Sequence, residues 1–190
     1  MDLAPDNIFY AKKLSVKLGV KNIDFIESDI MEFREKHHKK YDVVFTTEGV
    51  LCWLPDLNKW AETVRHLLNE GGFLYVLDGH PFFMVFDEDK LRENRLEIKY
   101  PYFEREPEYS EEMPDYFSEN KMGVNYGWMY KISDIINPLA KAGLTIEFFN
   151  EYDSLYYDMG GMESCGNGLC HYPFFDRKIP FTFSLKARLK

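Results

Sequence analysis

The 190 residues, 45% hydrophobic and 17% aromatic, fall within the usual size of one domain and suffice for a sizeable core. No stretch approaches the ~20 apolar residues that span a bilayer, the opening MDLAPDNIFYAKK has no apolar signal core, and Cys52, Cys165 and Cys170 are too few for a disulfide framework, so a cytoplasmic chain with free thiols and no membrane partner is expected. Of the net charge of −9, residues 87 to 119 carry −7 with twelve acids against five bases, a field that opposes phosphate backbones; a small molecule or a basic protein segment is the expected partner, not nucleic acid.

Residues 6 to 18 place Ile8, Ala11, Leu14 and Leu18 on one face, with Pro5 near the first turn and Gly19 past the end, which predicts a helix. NIDFIES (22–28), DVVFTT (42–47) and FLYVLD (73–78) read as strands, and a short helix over 30–37 follows the first. Between the last two, the stripe Leu57, Trp60, Ala61, Val64, Leu67 and Leu68 predicts a crossing helix that ends at Gly71-Gly72. This alternation predicts an α/β fold whose three strands are parallel neighbours in one sheet.

Residues 80 to 130 break the rhythm. They combine clustered acids with Pro101, Pro107 and Pro114 and with Tyr100, Tyr102, Phe103, Tyr109, Tyr116 and Phe117, the pattern of an inserted lid or else of a solvated acidic excursion. From Ser133 as cap, a helix runs through Ile135, Ile136, Leu139 and Ala140 to Gly143, bent at Pro138. LTIEFFN (144–150) and PFTFSLKAR (180–188) supply two more strands, the second antiparallel beside the sheet's end. The connection between them (151–179) is long and rich in Gly, Tyr and Cys, and its CGNGLCH (165–171) reads as a flexible connector. Its Cys165, Cys170 and His171 are possible soft-metal ligands, but a fourth ligand is missing and the thiols are too widely spaced, so no metal site is expected.

Two acids stand where a nucleoside could be held. Asp2 precedes Leu3-Ala4-Pro5 and a helix; it either caps that helix or, at a strand end, accepts from ribose hydroxyls. Asp29 with Ile30 closes 22–28; its carboxylate either caps the next helix or accepts from an adenine amine while the Ile30 N–H donates to the ring. The residues alone leave both alternatives open.

In order and spacing, DLAPDNIFYA, FIESDI, YDVVFTTEGVLCWLPDL and LLNEGGFLYVLD resemble the class I methyltransferases, whose run from second to fifth strand looks like D-L-S-P-x-x-I-x-x-A, F-x-x-x-D-I, D-V-V and G-G-x-L. The resemblance covers residues 1 to 80 closely, and the later helix and strands follow the family's order. It implies a Rossmann-like, mostly parallel sheet with an antiparallel last strand, in a single domain over 1–190. It implies S-adenosylmethionine as cofactor, with Asp2 on the ribose, Leu3 packed on the adenine, Asp29 and Ile30 on the adenine edge, and Thr46, Thr47 and Glu48 bordering the methionine moiety. Trp53 either closes that site or fills the core.

The family's first strand, glycine-rich turn and first helix belong before Met1. The resemblance therefore implies weak donor binding by the chain as numbered and homo-oligomers formed through an exposed sheet edge. His80, after strand 73–78 at the carboxyl edge of the sheet, is either a general base or a loop histidine. Tyr126 and Trp128 in VNYGWMY either wall the acceptor or pack a hinge. The expected activity is methyl transfer to a small-molecule acceptor. A non-catalytic interaction protein on a degenerate core is the alternative; a nicotinamide dehydrogenase fits less well with Asp29-Ile30 and the antiparallel finish.

Overall fold

The computed structural model describes every residue except Glu48, Glu104, Arg105 and 114–120, so Pro114, Tyr116 and Phe117 of the expected lid lie outside the described residues. In chain order the elements are α1 (Pro5–Leu18), α2 (Ile30–Lys36), β1 (Tyr41–Thr46), α3 (Leu57–Leu67), β2 (Leu68–Gly79), α4 (Glu88–Arg92), β3 (Glu108–Met113), β4 (Lys121–Gly127), α5 (Ile132–Lys141), β5 (Leu144–Tyr152), β6 (Glu163–Gly166), β7 (Leu169–His171) and β8 (Thr182–Leu189). No helix among the described residues is long and apolar enough to cross a membrane.

The main sheet has the order β1-β2-β8-β5. β1 and β2 pair in parallel, and β8 runs antiparallel to both β2 and β5. Three strands therefore point one way and the last in sequence points the other, a Rossmann-like α/β arrangement. β8 lies between β2 and β5 rather than at the end of the sheet.

Segment 22–28 departs from expectation. It forms no extended strand and makes one parallel bridge, Asp2 to Glu27, with the Asp2 N–H on the Ile26 carbonyl (3.1 Å) and the Ser28 N–H on the Asp2 carbonyl (3.0 Å). A ladder needs a neighbour along its whole length, and here the neighbour is a single residue.

Leu74 and Val76 of β2, with Phe183, Leu185 and Ala187 of β8, pack against Trp60, Ala61 and Val64 of α3 and Ile135 and Leu139 of α5. α3 is capped by Asp56, whose Oδ1 accepts from the Asn58 and Lys59 amides at 2.8 and 3.1 Å. It stops at Leu67, and β2 absorbs the Gly71-Gly72 pair that the sequence assigned to the helix end. The reason is steric: a Cβ on Gly72 would stand 2.9 Å from the Asn69 carbonyl and 3.0 Å from that of Asp42, so glycine lets β2 bulge against β1.

α1 is bounded as expected by Pro5 and by Gly19 at φ 69°, but of its apolar stripe only Ile8 is buried while Leu14 and Leu18 are exposed. Helical spacing specifies the helix, not a surface to cover it. α5 begins at Ile132 rather than at a Ser133 cap, because Asp134 Oδ2 accepts from the Lys131 N–H at 3.1 Å and closes the first turn one residue pair earlier.

A second apolar cluster joins Phe83, Val85, Phe86 and Leu91 to Leu155, Tyr172, Phe175, Ile179 and Phe181. The region after β2 and the 151–179 connection thus fold on each other. The connection is structured where a flexible one was expected: β6 and β7 form a hairpin whose two-residue turn, Asn167-Gly168, has φ of 55° and 77°, the left-handed pair that such turns demand.

Candidate active site

The bridge between Asp2 and Glu27 sets the two sequence-assigned acids at the ends of adjacent parallel segments. Asp2 is half-buried; its Oδ1 accepts from the Ala4 amide at 2.8 Å and its Oδ2 from Asn7 Nδ2 at 3.1 Å, so the carboxylate is already oriented across the start of α1. Leu3 beside it is 67% exposed, an apolar surface awaiting cover. Asp29 caps α2 through Oδ1, which accepts from the Met31 amide at 2.8 Å. Capping and ligand binding are compatible here, since each carboxylate offers about four acceptor directions. The Ile30 N–H, first in α2, has no intrahelical acceptor by construction.

Ile30 and Met31 pack into the same cluster as Val50, Leu51 and Leu54, which follow β1. The start of α2 and the segment after β1 therefore meet at one edge of the fold. Thr46 is buried at the last position of β1 and Thr47 is exposed just beyond it; Glu48 lies outside the described residues. Trp53 is 45% exposed, so it does not fill the core.

Asp78 was not singled out by the sequence reading. Leu74, Val76 and Asp78 alternate on one face of β2, and an acid on the buried face of an apolar strand was the available signal. Its carboxylate accepts from backbone amides of the segment after β1.

With this geometry in view, a family profile described as methyltransferase domain matches residues 1–129, more than half of the chain. The chain belongs to the methyltransferase domain family. The fold agrees. An S-adenosylmethionine-dependent methyltransferase candidate from Listeria monocytogenes superposes with a TM-score of 0.63 at 16% identity over 99% of this chain and 78% of its own. Proteins described as S-adenosylmethionine-dependent methyltransferases from Clostridium acetobutylicum and Methanosarcina mazei give TM-scores of 0.61 and 0.59 at 13% and 14% identity, each over 98% of this chain and over 72% and 79% of their own. At these identities the likeness is one of fold. No curated protein matches the chain.

In this methyltransferase, β3 and β4 form an antiparallel arm that presents Tyr109 edge-on to Tyr126 (5.7 Å between centroids), with Trp128 6.2 Å beyond Tyr126. Tyr126 is 47% exposed. The Trp128 N–H donates to the Cys52 carbonyl at 2.7 Å, which fastens this wall to the segment after β1. A cavity of about 40 Å³ lies between the 80–130 region and the 151–179 connection, among Phe83, Phe86, Leu91, Met129 and Met159.

His80 is not an accessible group at the sheet edge. It is buried, edge-on to Phe149 and Phe183, and Nδ1 accepts from the Phe82 N–H at 3.1 Å. Nε2 lies 2.9 Å from Glu151 Oε1 without a hydrogen bond, and the two form an ion pair only when the ring is protonated. Burial holds its pKa below the ordinary value and Glu151 opposes this, so the neutral ring prevails at neutral pH. Among the described residues no three His, Cys, Asp or Glu side chains are grouped to hold a metal, and Cys165 and Cys170 are free thiols on the β6–β7 hairpin.

Proposed function

We propose that the chain is an S-adenosylmethionine-dependent methyltransferase acting on a small-molecule acceptor. The observation that carries this reading is the parallel bridge that pairs Asp2 with Glu27, two residues before Asp29, and so brings the two acid-bearing helix starts to neighbouring segments, as a ribose and an adenine require. Asp2 would accept from the ribose hydroxyls, Leu3 would cover the adenine, Asp29 and the Ile30 N–H would read its edge, and Thr46, Thr47 and Glu48 would border the amino-acid end. When bound, the donor supplies a methyl group on a sulfonium, which an acceptor displaces in line.

The chain's own contribution is alignment and exclusion of water, worth up to ~7–11 kcal/mol where two reactants are held in register. Tyr126 and Trp128 form the apolar, cation-attracting wall for the acceptor, and the acidic lid selects against anions. His80, buried and neutral, is a packing residue of the β2 end and not the base.

Calorimetric titration with S-adenosylhomocysteine tests the assignment. Asp2→Ala is expected to weaken binding at least about ten-fold, because two hydroxyls lose charge-assisted bonds of ~1.5–3 kcal/mol each. Asp29→Ala is expected to weaken it less, since the adenine keeps its backbone bond. Equal affinities would remove Asp2 from the site.

A further inference from the structure

The geometry points to Asp78 as a positioning residue: its carboxylate sets the 49–54 segment, which joins the donor-bordering end of β1 to the acceptor wall of Tyr126 and Trp128. This rests on the reading that Thr46 and Thr47 border the donor. Asp78 is 7% exposed at the carboxyl end of β2. Its Oδ1 accepts from the Gly49 and Gly79 amides at 2.9 and 2.7 Å, and its Oδ2 accepts from the Leu51 amide at 3.1 Å. Gly49 turns at φ 74°, a left-handed conformation open to glycine, which brings two loop amides onto one side chain.

Two carbonyls of the same segment reach residues after β4. The Cys52 carbonyl takes the Trp128 backbone N–H at 2.7 Å, and the Leu54 carbonyl takes the Tyr130 hydroxyl. The segment is thus held at Gly49 and Leu51 by Asp78 and at Cys52 and Leu54 by the stretch that follows β4. A loop gripped on both rims has one arrangement, so the position of Trp128 and that of Thr46-Thr47 are coupled through it. An apolar side chain at 78 would leave buried amides unpaired, and an amide side chain would set a second donor against one of them.

Burial pushes the Asp78 carboxyl above its ordinary value of 3.8 while the amides oppose. The Cys52 thiol on the segment is pushed up to about 11, by burial and then by Asp78, and stays protonated in the acidic range. On β8, Phe183 and Thr182 opposite Asp78 and Gly79 carry no charge. His80, just past β2, gains its charge below the ordinary 6.5, so His80→Gln, which keeps Asp78, serves as the control that removes this second titration. The ionised carboxylate is the better acceptor, so loop order is lost as pH falls through the raised value.

The test follows the Gly49 and Leu51 amide resonances of the unmodified protein from about pH 8 to about pH 4.5, with S-adenosylhomocysteine titrated into the same samples. Both amides are expected to move together on acidification while affinity falls along the same curve. Asp78→Asn is expected to flatten both dependences, to move the Trp128 indole resonance, and to weaken binding about ten-fold at neutral pH. If Asp78→Asn does not fold, the coincidence of the two curves in the unmodified protein decides the matter. Amides that do not titrate, or binding that Asp78→Asn leaves unchanged, overturn the positioning role alone. An unmodified protein that binds no S-adenosylhomocysteine at any pH, with amides that still titrate, overturns the donor-site reading and the positioning role with it.

Discussion

Single residues in this chain answer to close contact and to burial. Gly72 is crowded by backbone, with three carbonyls from 2.9 to 3.1 Å of where a Cβ would stand, whereas Gly127 has nothing within 4 Å. Gly72→Ala is therefore expected to cost about 1–3 kcal/mol in urea unfolding, as overpacking does, and Gly127→Ala to be nearly neutral. His80 gives a pH dependence whose sign follows from burial. Its folded pKa lies below the ordinary 6.5. The unfolded chain then binds more protons in that window, so the stability His80 contributes is complete above 6.5 and is lost as pH falls towards the lowered value. The urea midpoint is expected to drop on acidification below neutrality, and His80→Gln to show a shallower drop. An unchanged slope would mean that Glu151 compensates the ring's burial fully. Asp2 and Asp29 stood out as candidates at this scale because each is an acid just before a helix, where it either caps the helix or accepts from a ligand. Asp78 was passed over, since an acid at the end of a strand reads as ordinary termination until its neighbours are seen.

At the scale of elements, α3 is the best specified. Asp56 caps it with two amide bonds, and Trp60, Ala61 and Val64 cover the sheet. Asp56→Ala is expected to lower stability by about 0.5–2 kcal/mol in thermal or urea melts, with the sheet intact. The region after β2 and the 151–179 connection belong together in a way no local pattern announces: Phe83, Val85 and Leu91 share one apolar cluster with Leu155, Tyr172 and Phe175, and Arg92 Nε donates to the Met159 carbonyl at 2.8 Å. Phe175→Ala, from a fully buried position, is expected to cost about 3–5 kcal/mol and to raise amide exchange across 83–91 as well as 169–175. Exchange confined to the second stretch would mean that the lid holds without the connection. Segment 22–28 shows the opposite limit. Its alternation suits a strand, yet one bridge is all that Asp2 provides.

For the whole molecule, the sheet ends in β1, which pairs on one side with β2 and presents Val43 and Phe45 at 48% and 58% exposure. Free strand edges with apolar side chains recruit further chains. Light scattering is expected to show self-association that grows with concentration and is suppressed by Val43→Lys with Phe45→Lys. A monomer at every concentration would show that the edge is protected in solution. The charge of −9, concentrated in the lid, limits how far such association proceeds.

What the sequence by itself determined was the set of local decisions. Helical spacing, strand alternation and terminal glycines identified α1, α3, α5, β1, β2, β5 and β8, and the order of four short motifs was similar enough to one family to imply the Rossmann-like sheet. These are properties of a few residues in a row, and the chain writes them at periods of two and 3.6. Only the tertiary structure decided which apolar faces are covered, why Gly72 sits inside a strand, that His80 is enclosed, and that Asp78 gathers amides from a segment 27 to 29 residues before it. Those outcomes depend on which distant segments arrive at the same place, and burial and hydrogen-bond satisfaction are accounted only there.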